Sequence, residues 1–237
     1  MTVRTAGGRI RNSLATIGLA HTLHDLALRA ANRALVIKIL RGMTAERVNA
    51  DYLACREPYR SMFLDEKRLR GFGRDPANDL PESFLDEALA QGDECYGILD
   101  GELLAAYGWY SRRPTPIDPP DLLLDPGDRY VYMYKGFTHP GHRGRRLHAI
   151  GMTLALQHYL SRGFQGLVSY VESNNFSSLN SVLRMGYEVF GSVYILRAFG
   201  IKFTHAGAGW QAHGVRIEPA ERDTDSGAGA LVGATRR

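Results

Sequence analysis

The chain has 237 residues, 44% apolar and 23% charged, which is the balance of a globular protein and excludes a disordered or fibrous one. Lysine and arginine exceed aspartate and glutamate by four. This excess favours an anionic ligand but is too small to indicate a nucleic-acid-binding protein. The two cysteines, Cys55 and Cys95, form no C-x-x-C pair, so we expect no disulfide framework, no metal site and a reducing, cytoplasmic location.

Residues 1–33 predict a helical extension. Arginines precede a stretch in which Leu19, Leu23, Leu26 and Leu28 recur at helical spacing. Polar residues interrupt that stretch before it reaches the length of a membrane span, and no clean cleavage site follows it. Two placements stay open: the helix packs on its own domain, or it lies on a membrane surface or on a second subunit.

The next segment predicts one strand and three helices. Residues 34–40 are rich in apolar, β-branched side chains and end at Arg41-Gly42, as a strand does. Residues 45–56 predict a helix that a following proline ends, residues 60–70 a second helix, and residues 81–92 a third. We therefore expect the first strand to be followed by a helical stretch.

A hairpin and an alternation of strands and helices follow. Asp100-Gly101 separates two apolar runs, and this dipeptide favours a tight turn between strands. Clustered prolines predict a loop at residues 114–120. Residues 206–237 are dominated by small and polar residues and predict a flexible tail. The later strands are predicted at 130–137, 166–171 and 187–196, and the later helices at 147–161, apolar on most faces, and 176–185.

One segment between a strand and a helix carries candidate chemistry: Phe137-Thr-His-Pro-Gly-His-Arg-Gly-Arg-Arg-Leu-His148. A helix N-terminus has unsatisfied backbone N–H groups and a positive dipole end, so it attracts anions. Arg143, Arg145 and Arg146 add positive charge there, and a pyrophosphate would fit. The alternative interpretation, a solvated basic turn, stays open on this segment alone.

This segment resembles the central motif of the GNAT acyltransferase superfamily. Two other stretches agree in order: residues 37–46 resemble its first strand and helix start, and residues 171–187 resemble its later motif, in which asparagine opens a helix that glycine and an aromatic residue close. The resemblance covers roughly residues 34–200. It implies an α/β (α+β) fold with a central mixed, mostly antiparallel sheet flanked by helices, in a domain of residues 34–205 that carries an extra N-terminal helix.

The resemblance also implies a co-substrate, acetyl-CoA or another acyl-CoA. The backbone at residues 137–139 would hold the pantetheine arm and residues 143–148 the pyrophosphate. Two positions depart from the family pattern at small residues, Arg146 and His148, and Val182 stands where a tyrosine often acts as general acid. The residues implied to bind the co-substrate are Phe137, Thr138, His139, Arg143, Gly144, Arg145, Arg146, Leu147, His148, Asn175 and Ser178.

The implied activity is transfer of an acyl group, most simply acetyl, from acyl-CoA to a primary amine by direct attack on the thioester. The attacking amine must lose a proton, and the candidate bases are Glu172, Tyr132, Tyr134 and, near them, His139. Two alternatives stay open: a long-chain N-acyltransferase using acyl-CoA or an acyl carrier protein, and a non-catalytic domain of this type that binds cofactor or a partner. The expected acceptor is a small-molecule amine, and a homodimer is also open.

Overall fold

The computed structural model describes residues 23–24, 36–199 and 201–220. Most of the predicted N-terminal extension, and the end of the predicted tail, lie outside these residues. The strands are β1 Val36–Ala45, β2 Tyr59–Leu64, β3 Glu94–Asp100, β4 Leu103–Ser111, β5 Thr115–Pro116, β6 Leu122–Asp125, β7 Tyr130–Thr138, β8 Gly166–Glu172, β9 Glu188–Ala198, β10 Ile201–Ala206 and β11 Arg216–Pro219. The α-helices from residue 36 onward are α1 Glu66–Gly73, α2 Glu82–Gln91, α3 Leu147–Ser161, α4 Phe176–Met185 and α5 Ala208–His213.

Eight strands form one sheet in the order β10-β9-β1-β8-β7-β4-β3-β2, and β11-β6-β5 form a second sheet. Neighbouring strands of the large sheet run antiparallel except β7 and β8, which are parallel. Helices flank this sheet on both faces. The predicted fold class, a mixed and mostly antiparallel sheet flanked by helices, is confirmed.

The two faces of the sheet carry separate cores because strand side chains alternate in direction. On one face, α3 and α4 pack on Val131, Met133 and Val171. On the other face, α1 and α2 cover the β2–β4 end, and the small sheet with α5 covers β1, β8 and β9. The tyrosines of β7 point to this second face. α3 is buried on most of its surface, which confirms the prediction for residues 147–161.

Two helix predictions near the N-terminus are wrong. The strand β1 continues through Met43 to Ala45, since it pairs with β8 on one side and β9 on the other, and only a short 3-10 turn, Ala50–Tyr52, follows. The predicted helix at 60–70 is the strand β2 and then the helix α1. Phe63 packs beside α3 on one face and Leu64 packs beside α1 on the other, an alternation typical of a strand.

The predicted flexible tail is wrong for residues 206–220, which form the helix α5 and the strand β11. The packing of Trp210 explains why this segment is folded. Its side chain is 1% exposed and packs edge-on against Phe190. A methyl group built on Gly42 of β1 would overlap its indole ring. The composition of the segment is loop-like, but one buried indole fixes it to the sheet.

The prolines at 114–120, predicted as a loop, contribute the short strand β5 of the small sheet. The hairpin after Asp100 turns at Gly101 and Glu102, with Gly101 at a φ of +59°. No helix among the residues described in the structure is both long enough and apolar enough to span a bilayer.

Candidate functional site

A gap opens between the two parallel strands at the centre of the sheet. β7 and β8 pair through three residue pairs, the last of which is Tyr132 with Val168. Beyond it, β7 pairs with β4 as far as Thr138, and β8 pairs with β1 as far as Glu172. The carboxyl halves of the strands therefore diverge, and we call the space between them the β7–β8 split.

A β-bulge in β7 accounts for the divergence. Trp109 of β4 lies opposite Lys135, and Tyr110 lies opposite Met133, so Tyr134 is an extra residue in β7. A bulge bends its strand and increases the local twist, which turns β7 away from β8. Burial changes at the same place, because β7 is buried through Met133 and partly exposed from Tyr134 onward.

The split leads to a basic loop and to the start of α3. Residues 143–146 are exposed, and no side chain caps the helix that begins at Leu147. The guanidinium of Arg143 donates a long hydrogen bond of 3.4 Å to the carbonyl of Thr138. An uncapped helix N-terminus with arginines beside it has the charge and the free N–H groups that a phosphate needs.

Arg146, the predicted departure from a glycine position, has a left-handed backbone with a φ of 60°. Only glycine adopts this conformation without steric cost, and the cost for other residues is about 1–2 kcal/mol. The loop therefore keeps the backbone shape expected for glycine while presenting an arginine side chain. Gly144, with a φ of +80°, supplies a second left-handed residue in the same loop.

Residues from the far edge of the sheet hold this loop. The hydroxyl of Tyr59, on β2, accepts a hydrogen bond of 2.6 Å from the Arg145 guanidinium and lies 3.0 Å from Nδ1 of His142. The same His142 nitrogen lies 4.0 Å from the carboxylate of Asp100. Sequence reasoning missed Tyr59 and Asp100 because only the tertiary fold brings them to the loop.

The candidate base Glu172 lies at the end of β8, with its side chain 38% exposed. Its carboxylate accepts a hydrogen bond of 2.9 Å from the ammonium of Lys38, which also pairs with Asp118. Burial lowers the pKa of Lys38, but hydrogen bonds to Asp118 and Glu172 outweigh it and raise the pKa, so Lys38 stays protonated. Neither Lys38 nor Asp118 was predicted as a site residue, because only the tertiary fold brings them to Glu172.

The other two candidate bases, Tyr132 and Tyr134, are held in the wall of the split. Tyr132 is 2% exposed and its ring lies 6.4 Å from that of Tyr170. The hydroxyl of Tyr134 donates a hydrogen bond of 2.9 Å to Asp93. Burial raises the pKa of both tyrosines, so both phenols keep their protons at neutral pH. Neither phenol is therefore ionised to act as a base at neutral pH.

The remaining predicted co-substrate residues lie around the carboxyl ends of β7 and β8. Phe137 is partly buried and stacks on Tyr107, with ring centroids 5.3 Å apart. The backbone N–H of His139 donates to the carbonyl of Ala105 at 2.9 Å. Asn175 caps α4, because its side-chain oxygen accepts a hydrogen bond of 3.2 Å from the N–H of Ser178.

Val182, which occupies the position of the family's frequent tyrosine acid, packs against the core between α4 and the sheet. His24 approaches the same region, with its ring nitrogen 3.2 Å from the hydroxyl of Ser173 and its ring 6.2 Å from that of Phe176. Within residues 36–199, 201–220 and the pair 23–24, no cluster of three potential metal ligands occurs.

Neither a protein-family model nor a curated protein matches this chain. Solved structures with a similar fold include a GCN5-related N-acetyltransferase-like protein from Streptococcus suis, 11% identical over 74% of this chain and 67% of that one, with a TM-score of 0.48. An acetyltransferase from the GNAT family from Colwellia psychrerythraea is 15% identical over 79% of this chain and 63% of its own, with a TM-score of 0.47.

An aminoglycoside N-acetyltransferase in complex with CoA is 16% identical over 57% of this chain and 92% of its own, with a TM-score of 0.43. At these identities the likeness is one of overall fold and says nothing of substrate.

Proposed function

We propose that the protein is an N-acyltransferase that transfers an acyl group from acyl-CoA to an amine. The observation that carries the proposal is the β7–β8 split, which leads directly to the uncapped, arginine-rich start of α3. An extended strand edge beside a separate anion site suits a ligand with a long amide-containing arm and a pyrophosphate. The residues present therefore fit acyl-CoA.

In this proposal, the exposed half of β7 binds the pantetheine arm through its backbone groups, and residues 143–148 bind the pyrophosphate. Acyl-CoA supplies an activated acyl group with a thiolate leaving group. Asn175, beside the end of β8, offers its amide donor to the arm. Backbone N–H groups of β7 near the bulge at Tyr134 are suited to stabilise negative charge on the thioester oxygen.

Glu172 serves as the base in this scheme. The ammonium of Lys38 holds the carboxylate of Glu172 in place by a hydrogen bond, and a carboxylate at the mouth of the split attracts an ammonium and takes up its proton, directly or through a water. The phenols of Tyr132, which is buried, and of Tyr134, which is partly buried, form the wall and keep their protons. The proposed acceptor is therefore a positively charged small amine that becomes neutral in the site.

The test starts with the thermal unfolding midpoint of the full chain, measured with acetyl-CoA, with a long-chain acyl-CoA and with neither. A ligand that binds only the folded state raises the midpoint. A panel of small amines is then assayed for release of the CoA thiol. Stabilisation followed by thiol release that depends on an amine would support the proposal, and the preferred chain length would identify the donor class.

The control is Arg74→Ala, which removes an exposed arginine after α1, away from the split. This variant should respond to acyl-CoA as the unmodified chain does. Stabilisation by acyl-CoA without thiol release for any amine would contradict catalysis and support a cofactor-binding domain. No stabilisation by any acyl-CoA would contradict the assigned co-substrate.

A further inference from the structure

Two separate covers meet over the β7–β8 split on the second face of the sheet. The small sheet with α5 covers β1, β8 and β9, whereas α1 and α2 cover the β2–β4 end. Tyr134 of β7 packs against the cores under both covers, so its ring lies at the boundary between them. The opposite face is occupied by α3 and α4. The boundary between the covers therefore offers the acceptor amine an approach to the split.

Three tyrosine rings meet at this boundary. The ring of Tyr132, which is 2% exposed, lies 5.8 Å from that of Tyr134 and 6.4 Å from that of Tyr170 on β8. Tyr134 and Tyr170 are partly exposed, and they lie on the two strands that diverge at the split. Tyr132 therefore forms the floor of a cleft, and Tyr134 and Tyr170 form its two walls. We call it the tyrosine cleft.

The hydroxyls of both wall residues are bound to the covers. Tyr134 donates its hydrogen bond of 2.9 Å to Asp93, which lies between α2 and β3. The hydroxyl of Tyr170 accepts a hydrogen bond of 3.3 Å from the backbone N–H of Asp118, between β5 and β6 of the small sheet. These bonds fix the orientation of each ring and occupy its polar end, so flat apolar surface lines the cleft.

The proposed base lies beside this cleft. Glu172 follows Tyr170 by two residues on β8, so the two side chains leave the strand on the same face, about 7 Å apart. An ammonium group joined to a ring by a chain of about two or three carbons spans a distance of this size. The spacing between carboxylate and walls therefore fits an amine that carries a ring.

We propose that the acceptor is an arylalkylamine, whose ammonium group meets Glu172 and whose ring lies between Tyr134 and Tyr170. Aromatic rings favour offset or edge-to-face contacts with one another, and burial of the ring adds a hydrophobic contribution. This inference rests on the proposed acyl transfer, because the acceptor is the second substrate of that reaction. The competing occupant of the tyrosine cleft is the apolar chain of a long acyl group.

The experiment compares three primary amines: 2-phenylethylamine, 2-cyclohexylethylamine, which has the same tether but a puckered saturated ring, and n-propylamine, which has no ring. The value of kcat/KM for each amine is measured by release of the CoA thiol from acetyl-CoA. In parallel, the unfolding midpoint of the full chain is measured with CoA and each amine. This second readout reports binding of the amine and requires no turnover.

Four variants accompany the panel. Tyr170→Leu removes one wall and keeps an apolar side chain, and Tyr170→Phe keeps the ring without its hydroxyl. Tyr134→Leu removes the other wall, so the test does not depend on the folding of a single variant. Tyr194→Leu is the matched control, since Tyr194 is 46% exposed on β9 and alternates with Val193, which is buried under the small sheet. The unfolding midpoint of each variant shows whether it folds.

We expect kcat/KM for 2-phenylethylamine to exceed that for n-propylamine by about tenfold or more, and that for 2-cyclohexylethylamine by about threefold or more. Tyr170→Leu and Tyr134→Leu should each raise the KM for 2-phenylethylamine by about tenfold and leave the Kd for acetyl-CoA within about twofold. Tyr170→Phe and Tyr194→Leu should keep the preference for the aromatic ring.

The outcomes separate this inference from the proposed function. Turnover of all three amines with equal kcat/KM would overturn the arylalkylamine assignment and leave the acyl transfer standing. A midpoint raised by 2-phenylethylamine without thiol release would support the ring site and contradict the acyl transfer. If Tyr170→Leu weakens binding of octanoyl-CoA and leaves the kinetics of the amines unchanged, the tyrosine cleft holds the acyl chain, and the inference is overturned.

Discussion

The imidazole of His148 lies directly on Gly136, so a methyl group built on Gly136 would overlap the ring. His148 is in the first turn of α3, and Gly136 is on the exposed half of β7. The family pattern has a small residue at the helix position. In this chain the strand supplies the small residue and the helix the large one, so the close approach of helix and strand is preserved.

The packing of the partly buried His148 against β7 makes stability depend on pH. Burial lowers its pKa from the ordinary 6.5, so in acid the unfolded chain takes up this proton before the folded chain does. The free energy of unfolding should therefore fall as the pH drops below about 6.5, until the pH reaches the folded-state pKa. Urea unfolding at a series of pH values measures this, and His148→Leu should show a flatter profile over that interval.

The left-handed backbone of Arg146 predicts a stabilising substitution. Arg146→Gly should raise the free energy of unfolding by about 0.5–1 kcal/mol, because glycine adopts this φ without strain and loses part of the gain to its freer unfolded state. Arg146→Ala is the control, because it removes the same charge and keeps the backbone strain. The free energy of unfolding of this variant should not exceed that of the unmodified chain. Equal stability of the two variants in urea unfolding would contradict the strain.

Much of the fold follows from the sequence, and the corrections have local causes. The helices at 147–161 and 176–185 are in their predicted places because their apolar spacing and end signals agree. The prediction of a helix at 60–70 is wrong because Phe63 and Leu64 pack on opposite faces of a sheet. The alternation of apolar residues in β2 is too short to be distinguished from helical spacing in the sequence. In the site, the basic loop of residues 143–146 is recognisable as a sequence motif, whereas the partners of Glu172 and of Tyr134, Lys38 and Asp93, come from remote parts of the chain.

The burial of Trp210 indicates that the segment after β10 contributes to the stability of the folded domain. Trp210→Ala should lower the free energy of unfolding by about 3–5 kcal/mol, since it leaves a cavity against Gly42 and Phe190. Urea unfolding followed by circular dichroism measures the loss. Glu218→Ala, a change at a partly exposed position of β11, should cost far less. If Trp210→Ala and Glu218→Ala both lowered the free energy of unfolding only slightly, the segment would contribute little to the core.

Glu172 should be needed for turnover but not for co-substrate binding. Under the proposed function, Glu172→Gln should lower kcat by about a hundredfold and leave the Kd for acyl-CoA within twofold, because the amide cannot take up a proton. Asp118→Asn is the matched control, since it removes the other carboxylate on Lys38 and keeps Glu172. If Glu172→Gln retains full activity, or if both variants lose it equally, the carboxylate is not the base.

In the proposed function, acyl-CoA binds with its pyrophosphate at the start of α3, and titration calorimetry tests this placement most directly. Arg143→Glu reverses an exposed charge beside the uncapped helix end. It should raise the Kd for acetyl-CoA by about thirtyfold or more, while Arg74→Glu changes it by less than about twofold. Acetyl-pantetheine, which lacks the pyrophosphate, should bind both variants equally. An unchanged acetyl-CoA affinity in Arg143→Glu, or an equal loss for acetyl-pantetheine, would contradict the assignment.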